Sequence, residues 1–284
     1  MLLLKNYVNY GKINRWYSNI RRDKKLKYNI TNSNLSKVFT DLEKELEKNN
    51  ETIEKILKID KNYCKSKTNI KILKDVVEGL KEEKLDIQQE QKITISYNGN
   101  PSLTLNLCIL AILLKNTVVL DYGDNWKGIN LFIIQIVNNV LKNYKTEDLI
   151  YIKNNKQDDS NKIICIDDIN KYNSYLREKN KNVKFCSFNY LDFYSDCDEY
   201  EEIKELIYKV AEENQIQIEG YSELEAKEAV QIMKNGFGTM VVVLTNSKDT
   251  EQIFKANIKN KKLYINKNPF KENIRLLDKK VLFM

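Results

Sequence analysis

Helical periodicity marks the chain from residue 32 to residue 85. In two successive stretches apolar residues recur at spacings of three and four, and charged residues fill the opposite faces. These apolar positions are Leu35, Val38, Phe39, Leu42 and Leu46, then Ile53, Ile56, Leu57 and Ile59. Asn32 or Ser33 is the predicted N-cap of the first helix, and a third helix is predicted over about 69–85. A coiled coil is the competing interpretation, but the period breaks around 60–68, so we predict helices that pack on a sheet.

From residue 92 the chain alternates between short strands and helices. The predicted strands are Ile93–Tyr97, Thr117–Tyr122, Leu149–Lys153, Lys162–Ile166 and Val183–Phe188, and the predicted helices are Leu103–Leu114, Gly128–Tyr144 and Ile169–Glu178. Such alternation implies a parallel sheet with right-handed crossovers, covered on both faces by helices. We therefore predict an α/β fold with a Rossmann-like parallel sheet of about five strands, and ligand sites at the carboxyl ends of its strands.

The last third predicts a shortened second α/β lobe. Helices are expected over Tyr200–Glu213, Glu223–Lys234 and Asp249–Ile258, strands over Thr239–Thr245 and Lys262–Ile265, and a short terminal strand within Leu276–Met284. Gly236 is expected to end a helix in the left-handed conformation. The predicted divisions are a basic aromatic arm (1–32), N-terminal helices with the first part of the cofactor-type domain (33–155), the remaining strands of that domain (156–190), the shortened catalytic-type lobe (191–270) and the terminal strand (271–284).

Composition excludes several chemistries. The 284 residues contain no histidine, which removes His-based triads, His metal ligands and His proton shuttles, and no metal site is predicted. The five cysteines lie far apart with no CxxC pair, as expected of a protein in a reducing, cytoplasmic setting. Cys108, Cys165 and Cys186 lie in apolar stretches and are predicted to be buried. No apolar run reaches the ~18 residues of a membrane span.

Positive charge is concentrated at the start of the chain. Residues 1–28 hold eight Lys or Arg against one acid, Asp23, and this net charge of +7 equals that of the whole chain. Five aromatic residues are interleaved with them: Tyr7, Tyr10, Trp16, Tyr17 and Tyr28. Nucleic-acid binding, an anionic membrane surface and a transit peptide are three interpretations. We favour a fourth, a solvated arm that packs its aromatics on the body or on a partner subunit.

Three segments resemble the aldehyde dehydrogenase superfamily in the same order along the chain. The first opens with Asn98-Gly-Asn-Pro-Ser102 and closes with Lys115-Asn-Thr-Val-Val-Leu-Asp121. The second is Lys234-Asn-Gly-Phe-Gly-Thr-Met-Val-Val-Val-Leu-Thr-Asn246, and the third is Leu263-Tyr-Ile-Asn-Lys-Asn-Pro-Phe270. The first is most similar to the acyl-reducing branches, such as CoA-acylating aldehyde dehydrogenases and gamma-glutamyl phosphate reductases. The resemblance implies an NAD-binding domain and a second, catalytic domain.

The reactive residues of that family are missing at the matching positions. The family places a nucleophilic cysteine in a Gly-Gln-x-Cys loop, but the matching stretch, residues 214–219, has none. Its general-base glutamate belongs after the fifth strand, where this chain has Phe185-Cys-Ser-Phe-Asn189. A Thr-Gly-Ser turn near the phosphates is replaced by Asp167-Asp168, which would repel a pyrophosphate. The resemblance therefore implies the fold of the family without its reactive residues, and no catalytic residue is assigned.

Three residues are the candidate cofactor contacts: Asn100 and Pro101 in the first turn, and Asp121 at the end of a strand. Asp121 replaces the family lysine that contacts the adenosine ribose. It could accept a hydrogen bond from a ribose hydroxyl and would reject a 2′-phosphate, or it is an exposed turn carboxylate, which we favour slightly. We expect no cofactor, with NAD as the alternative.

Three functional hypotheses remain open, and whether the chain is an enzyme is undecided. The first is an inactive aldehyde dehydrogenase relative that binds as a homo-oligomer or with a full-length paralogue through its terminal strand. The second is an NAD-dependent reductase or dehydrogenase of an aldehyde, acyl thioester or acyl phosphate, using Cys186 or Cys197, although carboxylates flank Cys197 and disfavour its thiolate. The third is a nucleotide or nucleic-acid binder led by the arm, and nucleic acid is the least expected partner.

Overall fold

The computed structural model describes residues 28–59, 69–81, 83–85, 92–123, 126–147, 149–153, 160, 162–177, 182–213 and 216–271. The predicted basic arm, up to residue 27, and the predicted terminal strand, from residue 272, lie outside these ranges. Within them, none of the helices combines the length and the apolar composition that a bilayer span requires.

Helices and strands alternate as the sequence pattern predicts. The helices are α1 (Asn32–Lys48), α2 (Asn50–Ile59), α3 (Ile70–Gly79), α4 (Pro101–Leu114), α5 (Lys127–Asn143), α6 (Ile169–Leu176), α7 (Glu201–Glu213), α8 (Ala226–Asn235) and α9 (Lys248–Asn257). The strands are β1 (Lys92–Ser96), β2 (Thr117–Asp121), β3 (Ile150–Ile152), β4 (Lys162–Ile166), β5 (Asn182–Ser195), β6 (Gln217–Gly220), β7 (Gly238–Leu244) and β8 (Lys262–Ile265). A 3₁₀ turn, Pro269–Lys271, follows the last strand.

The strands form one sheet in the order β3-β2-β1-β4-β5-β7-β8, and β6 pairs with β5 beside this path. Every pairing is parallel. The chain moves outward from β1 to β3 and then returns to the other side of β1 to form β4. The predicted α/β class with a parallel sheet is therefore confirmed, and β1 and β4 flank the position where the strand order reverses.

Strand β5 is much longer than the sequence suggested. The predicted strand, Val183–Phe188, continues to Ser195 because no glycine or proline interrupts it and because Leu191 and Phe193 are buried on the core side. Its first part pairs with β4, and its second part pairs with β6 and β7. The predicted domain boundary at 190/191 falls inside this strand. Strand β6 was not predicted, because its four residues carry only one apolar side chain.

The first part of the sheet is covered unequally. Helices α1 to α5 share one core with the face that carries Ile93 and Ile95, and α4 is buried almost all round because its sequence is apolar all round. The opposite face carries Ile163 and Cys165, and within the described residues α6 is the helix that packs there, through Tyr175. The prediction of helices on both faces is confirmed, but among the described residues only α6 covers the second face.

The later strands have a core on each face. On one face α7 packs Ile207 and Ala211 against Phe193 and Val242. The other face carries the core of α8 and α9, which includes Met233, Phe254, Val241 and Val243. All seven residues of β7 are buried, as expected for a central parallel strand.

Candidate functional site

Strands β1 and β4 are neighbours whose crossover helices leave toward opposite faces of the sheet. Helix α4 follows β1 on one face, and α6 follows β4 on the other. In open α/β sheets, ligands bind in the crevice that such an arrangement places at the carboxyl ends of the strands. We call it the strand-end crevice and define it by residues 96–101, 121 and 167–168. All three predicted cofactor residues lie in it.

Asn100 and Pro101 begin helix α4. The Asn100 side chain accepts hydrogen bonds from the backbone N–H of Ser102 (3.0 Å) and Leu103 (3.4 Å), and Pro101 is buried in the first turn of the helix. Asn130 of α5 fixes the preceding turn, because its Nδ2 donates to the carbonyl of Gly99. Gly99 has φ +81°, a conformation that favours glycine. The Asn-Pro turn is thus held by the protein's own side chains.

The first turn of helix α6 is also capped by a side chain of the protein. The carboxylate of Asp168 accepts a hydrogen bond from the N–H of Lys171 at 2.9 Å, which caps the helix. Asp167 has φ +55°, and its carboxylate accepts hydrogen bonds from the hydroxyl of Ser187 and from the N–H of Phe188 (3.1 Å). The Asp168 carboxylate therefore lies at the start of the helix, and Asp167 precedes it and is bonded to β5.

Asp121 is neither an exposed turn carboxylate nor a free acceptor. Its side chain is 12% exposed and accepts hydrogen bonds from Lys171 Nζ (2.7 Å) and the hydroxyl of Tyr175 (2.7 Å), and Lys153 Nζ lies at 3.5 Å. Burial raises the pKa of this carboxyl, but the hydrogen bonds from Lys171 and Tyr175 and the nearby positive charges outweigh it and hold the pKa below its usual range. The slightly favoured prediction of an exposed carboxylate is wrong, because the lysines and the tyrosine cover it.

These residues do not fit the pyrophosphate of a dinucleotide. In the first turn of each helix, where a phosphate could bind, Asn100 accepts from the N–H groups of Ser102 and Leu103, and Asp168 accepts from the N–H of Lys171. Asp167 and Asp168 add negative charge at the same place, and the Asp121 carboxylate is committed to the side chains of α6 and Lys153. A ribose hydroxyl would have to compete with Lys171, Tyr175 and Lys153 for the Asp121 oxygens.

Ser96, at the end of β1, is a crevice residue that sequence reasoning missed. Its side chain is fully buried, and its hydroxyl has no hydrogen-bond partner among the described residues. It lies beside Asp121 of β2 and Cys165 of β4 in the strand register. A serine at a strand end is common, so the sequence carried no signal for it.

Three of the four described thiols are buried. Cys108, Cys165 and Cys186 are buried, as predicted, and burial raises the pKa of each thiol, to about 12 for Cys165. Cys197 is partly exposed beside Asp196 and Asp198. The fifth cysteine, at position 64, lies outside the described residues.

A buried ion pair joins the second part of β5 to the residue that precedes β8. Lys261 Nζ contacts Asp192 Oδ2 at 2.7 Å, and the two side chains are 0% and 4% exposed. Burial raises the pKa of Asp192 and lowers the pKa of Lys261, while their mutual attraction opposes both shifts. Sequence reasoning missed this pair, because Lys261 stands in a lysine-rich segment whose pattern indicates exposure.

Two glycines leave room for this ion pair. A Cβ on Gly236 would lie 3.1 Å from Asp192 Oδ1 and 3.2 Å from Lys261 Nζ. A Cβ on Gly238 would lie 2.9 Å from the carbonyl oxygen of Tyr190. Gly236 has φ −65° and ψ 167°, so the predicted left-handed stop is wrong. At Gly236 the absence of a side chain, rather than a special backbone angle, is what this packing requires.

Comparison with solved structures returns proteins of the superfamily that the sequence resembles. Gamma-glutamyl phosphate reductase from Thermotoga maritima is 15% identical, with 84% of this chain and 84% of that chain covered and a TM-score of 0.49. Aldehyde dehydrogenase 21 from Physcomitrella patens is 11% identical, with coverages of 87% and 79% and a TM-score of 0.47. A propionaldehyde dehydrogenase from a Clostridium phytofermentans bacterial microcompartment is 9% identical, with coverages of 81% and 55% and a TM-score of 0.44.

No protein-family model matches the sequence, and no curated protein matches it. Because the structural similarities have TM-scores below 0.5 and identities of 15% or less, we take the function from the side chains of this chain.

Proposed function

We propose that this chain is an aldehyde dehydrogenase-like protein that has lost thiol-based catalysis and acts by binding. In this proposal it assembles with a second copy or with a full-length, active relative. The chemistry that the resemblance implies needs a thiolate that can reach a carbonyl carbon and a cofactor that can accept or donate hydride.

The setting of the thiols is the observation that carries the proposal. Cys186, on the strand β5 that pairs with β4, is 2% exposed, and burial holds its pKa above the usual range. Attack by such a group would require both exposure and ionisation against the cost of burial. Cys197 is more accessible, but its neighbours Asp196 and Asp198 are acids, whereas a cationic neighbour is what usually activates a thiol.

The crevice supports the same proposal from the cofactor side. Asn100 and Asp168 accept hydrogen bonds from N–H groups in the first turns of α4 and α6, where a pyrophosphate could bind, and Lys171 and Tyr175 donate to Asp121. A protein that retained hydride transfer would need this surface open to a nicotinamide dinucleotide.

Turnover and binding assays on the full chain test the loss of catalysis. We expect no NADH- or NADPH-dependent reduction of acyl phosphates or acyl-CoA thioesters, no NAD⁺-dependent aldehyde oxidation, and no calorimetric binding of NAD⁺, NADH or CoA at micromolar concentration. Steady turnover that Cys186→Ser or Cys197→Ser abolishes would contradict the proposal. Cys108→Ser is the matched control, because Cys108 is likewise a buried thiol but lies within helix α4.

Light scattering tests the homo-oligomer. We expect a mass near twice 33.5 kDa at micromolar concentration. A monomeric mass would rule out self-assembly at that concentration and leave a full-length relative as the partner to seek.

A further inference from the structure

Strand β6 presents an open edge. It pairs with β5 through Tyr190 to Phe193, and no other described strand lies against it. Gln217, Glu219 and Gly220 are exposed. An exposed parallel edge with unpaired backbone groups is a template for another extended segment.

The surface around this edge is strongly acidic. Between residues 196 and 228 there are twelve acidic residues and three lysines, and all twelve acidic residues are exposed. They are Asp196, Asp198, Glu199, Glu201, Glu202, Glu205, Glu212, Glu213, Glu219, Glu223, Glu225 and Glu228. We call this set the acidic edge.

Most of the acidic edge converges at one end of the sheet. The N–H of Tyr221 donates to the carbonyl of Phe193 at 2.9 Å, and the N–H of Ser195 donates to the hydroxyl of Ser222 at 3.1 Å. These bonds bring the loop after β6 beside the loop after β5. The carboxylates that follow each strand, together with the first turns of α7 and α8, therefore share one surface.

One segment of this chain has the complementary composition. Residues 1–27 carry eight Lys or Arg and one Asp, with Leu, Val and Tyr spread among them, whereas the other outlying segment, residues 272–284, has a side-chain charge of only +1. Tyr28, where the described chain begins, is fixed by a hydrogen bond from its hydroxyl to the carbonyl of Ile112 at 2.7 Å. An extended segment of this length spans up to roughly 90 Å, enough to reach any part of a chain of this size.

We propose that residues 1–27 dock on the acidic edge of the same molecule and add a strand to the open edge of β6. Backbone pairing supplies the geometry, and the lysines and arginines neutralise the exposed carboxylates. Covalent linkage favours the same molecule over a second copy, because it gives the segment a high local concentration. This proposal does not depend on whether the protein has lost catalysis.

Zero-length carbodiimide cross-linking of the full chain, read by mass spectrometry, tests the docking. We expect cross-links from Lys5, Lys12, Lys24, Lys25 and Lys27 to carboxylates of residues 198–228, with several-fold fewer when the salt is raised from about 0.05 M to about 1 M, where charge interactions are screened. Equal cross-linking to the acids of α1 and α2 would overturn the proposal, and so would no cross-links. A mixture of ¹⁵N-labelled and unlabelled chains identifies the molecule: mixed-isotope cross-links would overturn docking within one chain.

A charge-reversal pair provides the matched comparison. Glu202→Lys with Glu223→Lys changes two exposed acids of the acidic edge, and Glu47→Lys with Glu51→Lys changes two exposed acids of α1 and α2. We expect the first pair to reduce the cross-links of residues 1–27 several-fold and the second pair to leave them unchanged. Equal effects of both pairs would overturn the proposal. If either pair fails to fold, the cross-link map of the unaltered chain decides.

Discussion

Lys261 and Asp192 illustrate how much one buried charge depends on its partner. Removing two charges from water costs several kcal/mol per ion, and mutual attraction at 2.7 Å offsets that cost only while both are present. The pair therefore joins β5 to the segment that enters β8. Loss of one partner would destabilise the protein mainly because the other charge would stay buried without its partner.

Replacing one member of this pair is expected to be far worse than replacing both. Lys261→Met should lower the free energy of unfolding by about 3–5 kcal/mol, because Asp192 is left buried and unpaired. Lys261→Met combined with Asp192→Leu should recover most of that loss. Urea unfolding measures both variants, and a double variant as unstable as the single one would show that the ion pair is not the cause.

Asp121 predicts a dependence on pH. Its pKa is lowered in the folded protein, so the stability it contributes is present above its unfolded value of about 4 and is lost as the pH falls through the folded pKa. Asp121→Asn should cost about 1–3 kcal/mol at pH 7, through the loss of charged hydrogen bonds to Lys171 and Tyr175. The difference between the two proteins should shrink below about pH 4. A difference that stays constant from pH 7 to pH 3 would contradict this assignment.

Residues like these set the limit of what the sequence could predict about the site. The Asn-Pro turn before α4 was predicted because it is a local signal, whereas the role of Asn100 and Pro101 as cofactor contacts stays a prediction. The partners of Asp121 come from α6 and from the end of β3, far away in sequence, so nothing near Asp121 indicated them. Lys261 and Ser96 have ordinary sequence neighbours, and only the sheet register buries them.

At the scale of elements, glycine positions near β7 make a sharp test of packing. Gly238→Ala places a Cβ 2.9 Å from a backbone carbonyl oxygen and 3.0 Å from Asp192 Oδ2, and neither neighbour moves easily. We expect a loss of about 1–3 kcal/mol in the free energy of unfolding. Gly220→Ala in β6 is the control, because a Cβ there meets no atom within 4 Å. Equal effects in thermal or urea unfolding would argue against the clash.

Most elements could be predicted from apolar periodicity, and the exceptions have physical reasons. β4 and β8 have the predicted bounds, and α4 begins two residues earlier than predicted, at Pro101, because proline is favourable in the first turn. β6 was missed because its stability comes from β5 rather than from its own apolar residues. The length of β5 was missed because a strand's end depends on which neighbours pair with it.

At the scale of the whole molecule, alternation of strands and helices predicted the α/β class and the parallel sheet. It could not predict how unequally the two faces are covered among the described residues, because a helical pattern does not say on which face of the sheet the helix packs. The division of the chain into domains stays a prediction. The fold alone does not establish the function, so the side chains of the strand-end crevice are better evidence for the function than the topology is.

Strand β5 belongs to both parts of the sheet. If residues after Ser195 were absent, the backbone groups of its second half would face water instead of β6 and β7, and if residues before Asn182 were absent, its first half would lose β4. Each fragment would therefore carry a strand with unpaired backbone groups, which could pair with other chains. The chain has no natural place near this strand at which it could be divided into two independently soluble fragments.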